Sequence, residues 1–249
     1  MRIALIGQAA FGESVLNALV ERGEELVGVF CPPDAERRPP DPLKAAADSH
    51  GVPVFQFRRL RDQSAIDAFA GMNSDLSVMA FVTDIVPETI LQAPTLGTIQ
   101  YHPSLLPRHR GPSSINWPII QGESMTGLTV FWPDSGLDTG PILLQREVEI
   151  TAEDTLGSLY FDKLFPAGVD AMVEAVGMVK DGNAARLAQD ESQATYEGWC
   201  RAEDVVTLVS FSNSFNRGKT RFALSNQGHS ITRQLGYKLL MKCLTRIPS

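Results

Sequence analysis

Nearly continuous apolar runs, separated by segments with helical periodicity, make up most of the chain. Four such runs in the amino-terminal half are typical of buried strands, since central strands of a parallel sheet are covered on both faces. Strands that alternate with helices in this way predict an α/β fold, an open and mostly parallel sheet with helices on both faces. The predicted strands are Ile3–Ile6, Leu26–Cys31, Val52–Phe55 and Ser77–Val82. The first predicted helix has its apolar positions at Val15, Leu16, Leu19 and Val20, and the next two are Pro42–His50 and Asp62–Ala70.

The same pattern continues in the second half of the chain. Phe165 and Pro166 lie inside the last predicted helix and predict a kink there, because proline cannot donate the helical hydrogen bond. The further predicted strands are Gly97–Tyr101, Leu128–Trp132 and Ile142–Ile150, and the further predicted helices are one near Ser114–Ile120 and a long closing helix over Asp154–Lys180.

A glycine turn joins the first predicted strand to the first helix, which makes the opening of the chain Rossmann-like. Its glycines, Gly7 and Gly12, are spaced Gly-x-x-x-x-Gly rather than Gly-x-Gly-x-x-Gly, and no acidic residue stands at the tip of the second strand. A dinucleotide site is therefore disfavoured. Glycines that let the helix pack closely against the sheet are the preferred interpretation.

Length and composition narrow the class of protein. A chain of 249 residues with 43% hydrophobic and 20% charged residues suits one large globular domain, or one domain with a small appendage. No run reaches the ~18 apolar residues of a membrane span, and the start of the chain lacks the long apolar region of a signal peptide. Cys31, Cys200 and Cys243 form neither a metal-binding spacing nor an even disulfide set, so no metal site and a cytoplasmic location are predicted.

The net charge of −7 is unevenly distributed along the chain. Residues 205–249 contain seven Lys or Arg and no acid, so residues 1–204 hold 15 basic and all 29 acidic residues, a balance of −14. We therefore divide the chain into a main domain, residues 1–204, and a short atypical basic tail, residues 205–249. Within the tail, Val205–Phe215 is compatible with a strand or two and Ile231–Leu244 with a basic amphipathic helix.

Two polar loops follow predicted strands and carry the candidate catalytic groups. His102 comes directly after Gly97–Tyr101 and begins a loop rich in proline, and Asp138 lies in a glycine-flanked turn after Leu128–Trp132. The carboxyl ends of strands are common places for chemistry in open α/β sheets, so an imidazole and a carboxylate could face each other across a cleft. Taken singly, a buried structural histidine and a turn-capping aspartate are the alternatives.

These loops, Tyr-His-Pro-Ser-Leu-Leu-Pro-Arg-His-Arg-Gly (101–111) and Gly-Leu-Asp-Thr-Gly (136–140), resemble two motifs of the folate-dependent formyltransferase family. The likeness extends over residues 1–204, and the fuller string that ends at Trp117 is most similar to the hydrolase domain of 10-formyltetrahydrofolate dehydrogenases. Methionyl-tRNA formyltransferases are related. The resemblance implies an enzyme that removes the formyl group from 10-formyltetrahydrofolate, its substrate and formyl donor. Water, a carrier thiol, methionyl-tRNA and a sugar amine remain open as the formyl acceptor.

The resemblance also implies roles for individual side chains. His102 would stabilise the oxyanion of the tetrahedral intermediate, and Asp138 would orient the imidazole and accept a proton from the attacking group. Ser104 is expected to bond the loop backbone with its hydroxyl rather than to act as a nucleophile. The expected catalytic residues are Gln100, His102 and Asp138, and the expected folate-binding residues are Phe81, Val82, Thr83, Asp84, Ile85, Ser104, Leu105 and Arg110.

Three adjacent basic residues, Arg108, His109 and Arg110, have two interpretations of equal weight. They could contact the carboxylates of folate or the phosphate of an acceptor through charge-assisted hydrogen bonds. They could equally form the solvated face of a loop.

The chain departs from the family pattern in two places. Gln100 stands where the family has Asn, which moves the amide outward by one methylene, and no string typical of the family's small C-terminal β-barrel follows Asp204. A truncated or frame-altered end is the preferred explanation of the tail, and an RNA-contacting extension is the alternative. A non-catalytic folate-binding protein is the opposing hypothesis for the whole chain.

Overall fold

A seven-stranded sheet lies at the centre of the computed structural model, which describes residues 1–36 and 39–204. The strand order is β3-β2-β1-β4-β5-β6-β7; β1 to β5 are parallel, whereas β6 and β7 are antiparallel to their neighbours. The predicted mostly parallel sheet is therefore confirmed. The strands are β1 Arg2–Gly7, β2 Glu25–Cys31, β3 Val54–Gln56, β4 Leu76–Ala80, β5 Thr98–His102, β6 Met125–Phe131 and β7 Ile142–Glu149.

Helices cover both faces of the sheet, as the alternating pattern predicts. On one face, α1, α2 and α7 pack over a large apolar cluster that includes Leu5, Val78 and Tyr101, and on the other α3 and α4 pack over a smaller cluster around Ile6 and Met79. The helices are α1 Ala9–Glu21, α2 Pro42–Ser49, α3 Gln63–Gly71, α4 Glu88–Leu91, α5 Asn116–Gln121, α6 Leu156–Ser158 and α7 Phe165–Lys180, with a π-helical turn at Leu159–Leu164 and a 3-10 turn at Glu191–Gln193.

Every predicted strand of the described residues is present, with bounds that differ from the prediction by up to three residues. Strand β4 ends two residues early because Phe81 adopts a left-handed conformation, φ 60°, which a strand cannot continue. The predicted closing helix runs through α6, the π turn and α7. Pro166 stands in the first turn of α7, directly after the π turn, where its ring nitrogen has no hydrogen to donate to the preceding turn. The short helix α4 was not predicted.

The glycine turn between β1 and α1 is used for close packing. A Cβ on Gly7 would lie 2.3 Å from the carbonyl oxygen of Ala80. The carboxylate of Asp41 accepts the N–H of Ala9 at the start of α1, with N–O distances of 2.8 and 3.0 Å. The same carboxylate caps α2 through the N–H of Leu43, 2.9 Å away.

The predictions for the tail fall on residues 205–249, which lie outside the described residues. Within residues 1–36 and 39–204, none of the helices combines the length and the apolar character needed to span a bilayer.

Candidate functional site

Strand β5 brings two of the three predicted catalytic side chains to one face of the sheet. Because side chains alternate along a strand, Tyr101 packs against Phe11 of α1, at a ring-centroid distance of 4.4 Å, while Gln100 and His102 face the opposite side. Nε2 of His102 lies 2.9 Å from the main-chain oxygen of His109. A carbonyl oxygen only accepts hydrogen bonds, so Nε2 carries the hydrogen and Nδ1 is left for a second partner.

Asp138 reaches His102 from the loop between β6 and β7. Its Oδ2 lies 3.7 Å from Nδ1 of His102 and accepts the N–H of Gly111 at 2.8 Å. Both side chains are about nine-tenths buried, with relative exposures of 7% for His102 and 10% for Asp138. The distance is longer than a hydrogen bond, so Nδ1 and Oδ2 both remain able to bond a third group placed beside them. The structure thus brings the predicted imidazole and carboxylate together.

Gln100 lies two residues before His102 in the middle of the sheet, between Met79 of β4 and Phe131 of β6. It is half-buried, and its side-chain amide makes no hydrogen bond to any residue that the structure describes. The amide is therefore available to a ligand on the face of the sheet that His102 also shares.

Ser104 and Leu105 build the loop that follows His102. The hydroxyl of Ser104 donates to the main-chain oxygen of Arg108 at 2.6 Å, which confirms the predicted bond to the loop backbone. Leu105 packs over Gly127 of β6, where an added Cβ would come within 2.5 Å of the leucine side chain. Folate contacts of Ser104 and Leu105 stay a prediction.

The loop after β4 carries the other predicted folate-binding residues, 81–85. Strand β4 lies beside β5 and parallel to it, with Met79 paired to Gln100, so the loop after β4 and the loop that begins at His102 leave the sheet at the same edge. Phe81 and Ile85 are exposed, whereas Val82 packs partly against the smaller apolar cluster. The loop is tied down by polar contacts: Asp84 accepts the N–H groups of Leu60 and Ile85, and Thr83 accepts from Gln8. Two exposed apolar side chains on a fixed loop, at the same edge of the sheet as the His102 loop, suit a flat aromatic ligand.

The three adjacent basic residues are paired with carboxylates of the chain itself. Arg108 is exposed and bonds Glu123, so the interpretation as a solvated loop holds for this residue alone. The imidazole of His109 is buried between Glu123, 3.3 Å from Nε2, and Glu197, 3.1 Å from Nδ1. The solvated interpretation is therefore wrong for His109 and for the fully buried Arg110, because tertiary contacts cover both side chains.

Residues 189–197, which we call the strap, hold the His102 loop from outside. His109 donates its N–H to the hydroxyl of Thr195 at 2.8 Å, and Arg110 donates its N–H to the carbonyl of Thr195 at 3.0 Å. No pattern in the sequence predicted a role for the strap in the site. Its one available signal was the acidic pair Asp190-Glu191, since a buried arginine requires a carboxylate partner.

Comparison with known proteins gives matches at the level of both sequence and fold. The sequence model of the formyl transferase family matches residues 1–176. The chain is 46% identical over 209 residues to the mitochondrial 10-formyltetrahydrofolate dehydrogenase of Mus musculus; the match covers 82% of this chain and 22% of the dehydrogenase. It is 37% identical over 201 residues to the methionyl-tRNA formyltransferase of Alkaliphilus oremlandii (strain OhILAs), covering 79% of this chain and 64% of that protein. The chain therefore spans about a fifth of the length of the dehydrogenase relative.

A solved structure shares the fold. The crystal structure of glycinamide ribonucleotide transformylase 1 from Symbiobacterium toebii superposes with a TM-score of 0.65 at 21% sequence identity. The match covers 76% of this chain and 93% of the transformylase.

Proposed function

The chain belongs to the formyl transferase family, and we propose that it removes the formyl group from 10-formyltetrahydrofolate with His102 and Asp138 as the reacting pair. The observation that carries this proposal is the 3.7 Å approach of His102 Nδ1 and Asp138 Oδ2 in a nearly buried setting, with the other imidazole nitrogen already fixed by a carbonyl. Residues 1–204 would form the catalytic domain, and the cytoplasm would be the site of action.

Water is the acceptor that we propose. Its oxygen adds to the formyl carbon, the bond from that carbon to N10 breaks, and formate and tetrahydrofolate leave. Asp138 takes the proton of the attacking water, and this proton is returned to N10 as the bond breaks. No further reactant is needed for the balance.

His102 would stabilise the oxyanion that forms during this addition. With Nε2–H held by the carbonyl of His109, protonation of the ring places the second N–H on Nδ1, beside Asp138. An oxyanion bound there meets a positively charged donor, and loss of one such donor typically costs ~2.7–4 kcal/mol of barrier. Gln100 would supply a further amide donor on the same face of the sheet.

The folate would lie along the loop of residues 81–85. The pterin ring would pack on the exposed Phe81 and Ile85 and bond the loop's main chain, and the formyl group would then point toward His102, because the parallel neighbours β4 and β5 end at the same edge of the sheet. Arg110 is not assigned to folate in this proposal. All five of its N–H groups already bond Gln189, Glu191 and Tyr196.

The test is the release of formate and tetrahydrofolate from 10-formyltetrahydrofolate by the purified protein. We expect His102→Ala and Asp138→Asn each to lower kcat by on the order of a hundredfold or more, with folate binding largely kept. Their effects should be strongly non-additive, because the carboxylate and the imidazole act on one group. His50→Ala and Asp67→Asn are matched controls at exposed positions and should leave kcat unchanged.

Two results would contradict this assignment. Near-normal turnover by either site variant would remove the pair from the mechanism. Wild-type protein that binds 10-formyltetrahydrofolate and returns it intact would favour the non-catalytic folate-binding hypothesis.

A second function, formyl transfer to methionyl-tRNA, is favoured by the 37% identity to a methionyl-tRNA formyltransferase. The two activities are separated in one assay by supplying formyl-labelled donor together with methionyl-tRNA. Label that is recovered as formate supports the hydrolase, and label that is recovered on the tRNA supports the transferase.

A further inference from the structure

The side-chain amide of Gln189 joins the two loops that carry His102 and Asp138. Its Nε2 donates to the main-chain oxygens of Asp138, at 2.9 Å, and Gly140, at 2.7 Å. Its Oε1 accepts from Nε of Arg110, at 3.2 Å, and Nη2 of Arg110, at 2.7 Å. A primary amide has two donors and two acceptor lone pairs, so every donor and acceptor of the Gln189 side chain bonds either Arg110 or the turn that carries Asp138.

Arg110 gives Gln189 a fixed partner. Its side chain is fully buried, and its remaining donors bond the carboxylate of Glu191, at 2.9 and 2.6 Å, and the hydroxyl of Tyr196. A buried guanidinium must be paired in this way, and the pair with Arg110 lowers the pKa of Glu191. The main chain of Arg110 is also held, by Thr195 on its N–H and Glu197 on its oxygen. The guanidinium therefore cannot move independently of the strap.

Because Arg110 is fixed by the strap, the residues on either side of it are also held in place. The residue before it, His109, accepts the hydrogen bond from Nε2 of His102, and the residue after it, Gly111, donates its N–H to Oδ2 of Asp138. Both reacting side chains are thus hydrogen-bonded to the same short segment, residues 109–111.

Asp138 needs such support more than an ordinary loop residue does. It adopts a left-handed conformation, φ 56°, which is uncommon for residues other than glycine, although aspartate tolerates it better than most. The amide of Gln189 supplies two contacts, at the carbonyl of Asp138 itself and at that of Gly140.

We infer that Gln189 is a positioning residue of the formyl-removing site, which sets the distance between the Asp138 carboxylate and the His102 imidazole by tying the Asp138 turn to Arg110. The inference rests on the proposed function. Among the described residues, the side chain of Gln189 makes no hydrogen bond to His102 or to residues 81–85, so it acts through Arg110 and the Asp138 turn.

The test compares Gln189→Leu and Gln189→Glu with the control Gln193→Leu. The leucine variant keeps the approximate size and removes all four hydrogen bonds; the glutamate variant keeps the acceptor for Arg110 and loses both donors to the turn. Gln193 lies on the same strap and is exposed, and the one hydrogen bond of its side-chain amide among the described residues is to the hydroxyl of Ser192. We expect both Gln189 variants to lower kcat by roughly ten- to a hundredfold, with KM for 10-formyltetrahydrofolate within about threefold of wild type because the 81–85 loop is untouched. The control should behave as wild type.

A double-mutant cycle separates positioning from a general loss of stability. If Gln189 acts through Asp138, Gln189→Leu should slow the wild type but have almost no further effect on Asp138→Asn. Equal losses in both backgrounds, or full kcat in both Gln189 variants, would overturn the inference.

Amide hydrogen exchange gives a readout that does not depend on the reaction. Residues 134–140 should exchange faster in Gln189→Leu than in Gln193→Leu, and unchanged exchange there would overturn the inference. If the wild type releases no formate, the proposed function fails, and the exchange result alone decides whether Gln189 holds the Asp138 turn.

Discussion

At the scale of single residues, the candidate site depends on main-chain atoms as much as on the two side chains that the motifs predict. His102 and Asp138 were predictable because each stands in a recognisable loop after an apolar strand. The orientation of the imidazole was not, since it is set by the carbonyl of His109. Nor was the burial of Arg110, whose partners Gln189 and Glu191 lie 79 and 81 residues further along the chain. Contacts of that separation leave no local pattern.

Asp154 allows a prediction about one ionisable group. It is buried, which by itself disfavours its charge, but hydrogen bonds from Lys163, Thr151 and Ser158 outweigh burial and lower its pKa from 3.8 to about 2. A carboxyl with a lowered pKa stabilises the folded state above pH 3.8, and the contribution is lost as the pH falls toward 2. Asp154→Asn should therefore lower the free energy of unfolding by roughly 2 kcal/mol at pH 7 and by about half of that at pH 3.

Urea unfolding at the two pH values measures this difference. Asp162→Asn, at an exposed position in the neighbouring π turn, is the matched control and should be neutral at both. If Asp154→Asn lowers the free energy of unfolding equally at pH 7 and pH 3, the charge of the Asp154 carboxylate is not what stabilises the fold here.

At the scale of elements, the turn from β1 to α1 has the strand-turn-helix arrangement of a dinucleotide-binding fold but not its glycine spacing. The amino terminus of a helix attracts anions, and in dinucleotide-binding folds the pyrophosphate lies there. Here the carboxylate of Asp41 bonds the N–H of Ala9 with both oxygens, so a negative charge of the chain itself already stands at that place. Gly7 serves the close approach of Ala80.

We therefore expect NAD and NADP at millimolar concentration to leave the melting temperature unchanged. A folate analogue should raise it, because a ligand at 100 times its Kd stabilises the folded state by about 2.7 kcal/mol. Thermal denaturation with each ligand makes the comparison. Clear stabilisation by a dinucleotide alone would reverse the interpretation of this turn.

At the scale of the whole molecule, the parallel part of the sheet was the most predictable. Strands β1, β2 and β4 are largely apolar on both faces, so their sequences differ sharply from the helices between them. The single-turn helix α4 and the strap 189–197 were not predicted, because the four residues of α4 and the three of the 3-10 turn in the strap are too few for a periodic pattern. The position of α4 follows from the burial of Ile90 and Leu91, and that of the strap from its hydrogen bonds to His109 and Arg110.

The distribution of charge over the whole chain decides what we expect of tRNA. Residues 1–204 carry a balance of −14 and should repel phosphates, so only residues 205–249, with seven basic residues and no acid, could attract them. We expect the full-length chain to bind methionyl-tRNA weakly at physiological salt, and truncation after Asp204 to leave both tRNA binding and formate release unchanged. Filter binding across a salt series measures this. Sub-micromolar binding that vanishes on truncation, with a logarithmic salt slope of about −0.7 to −0.9 per phosphate contact, would contradict the expectation and favour transfer to methionyl-tRNA over hydrolysis.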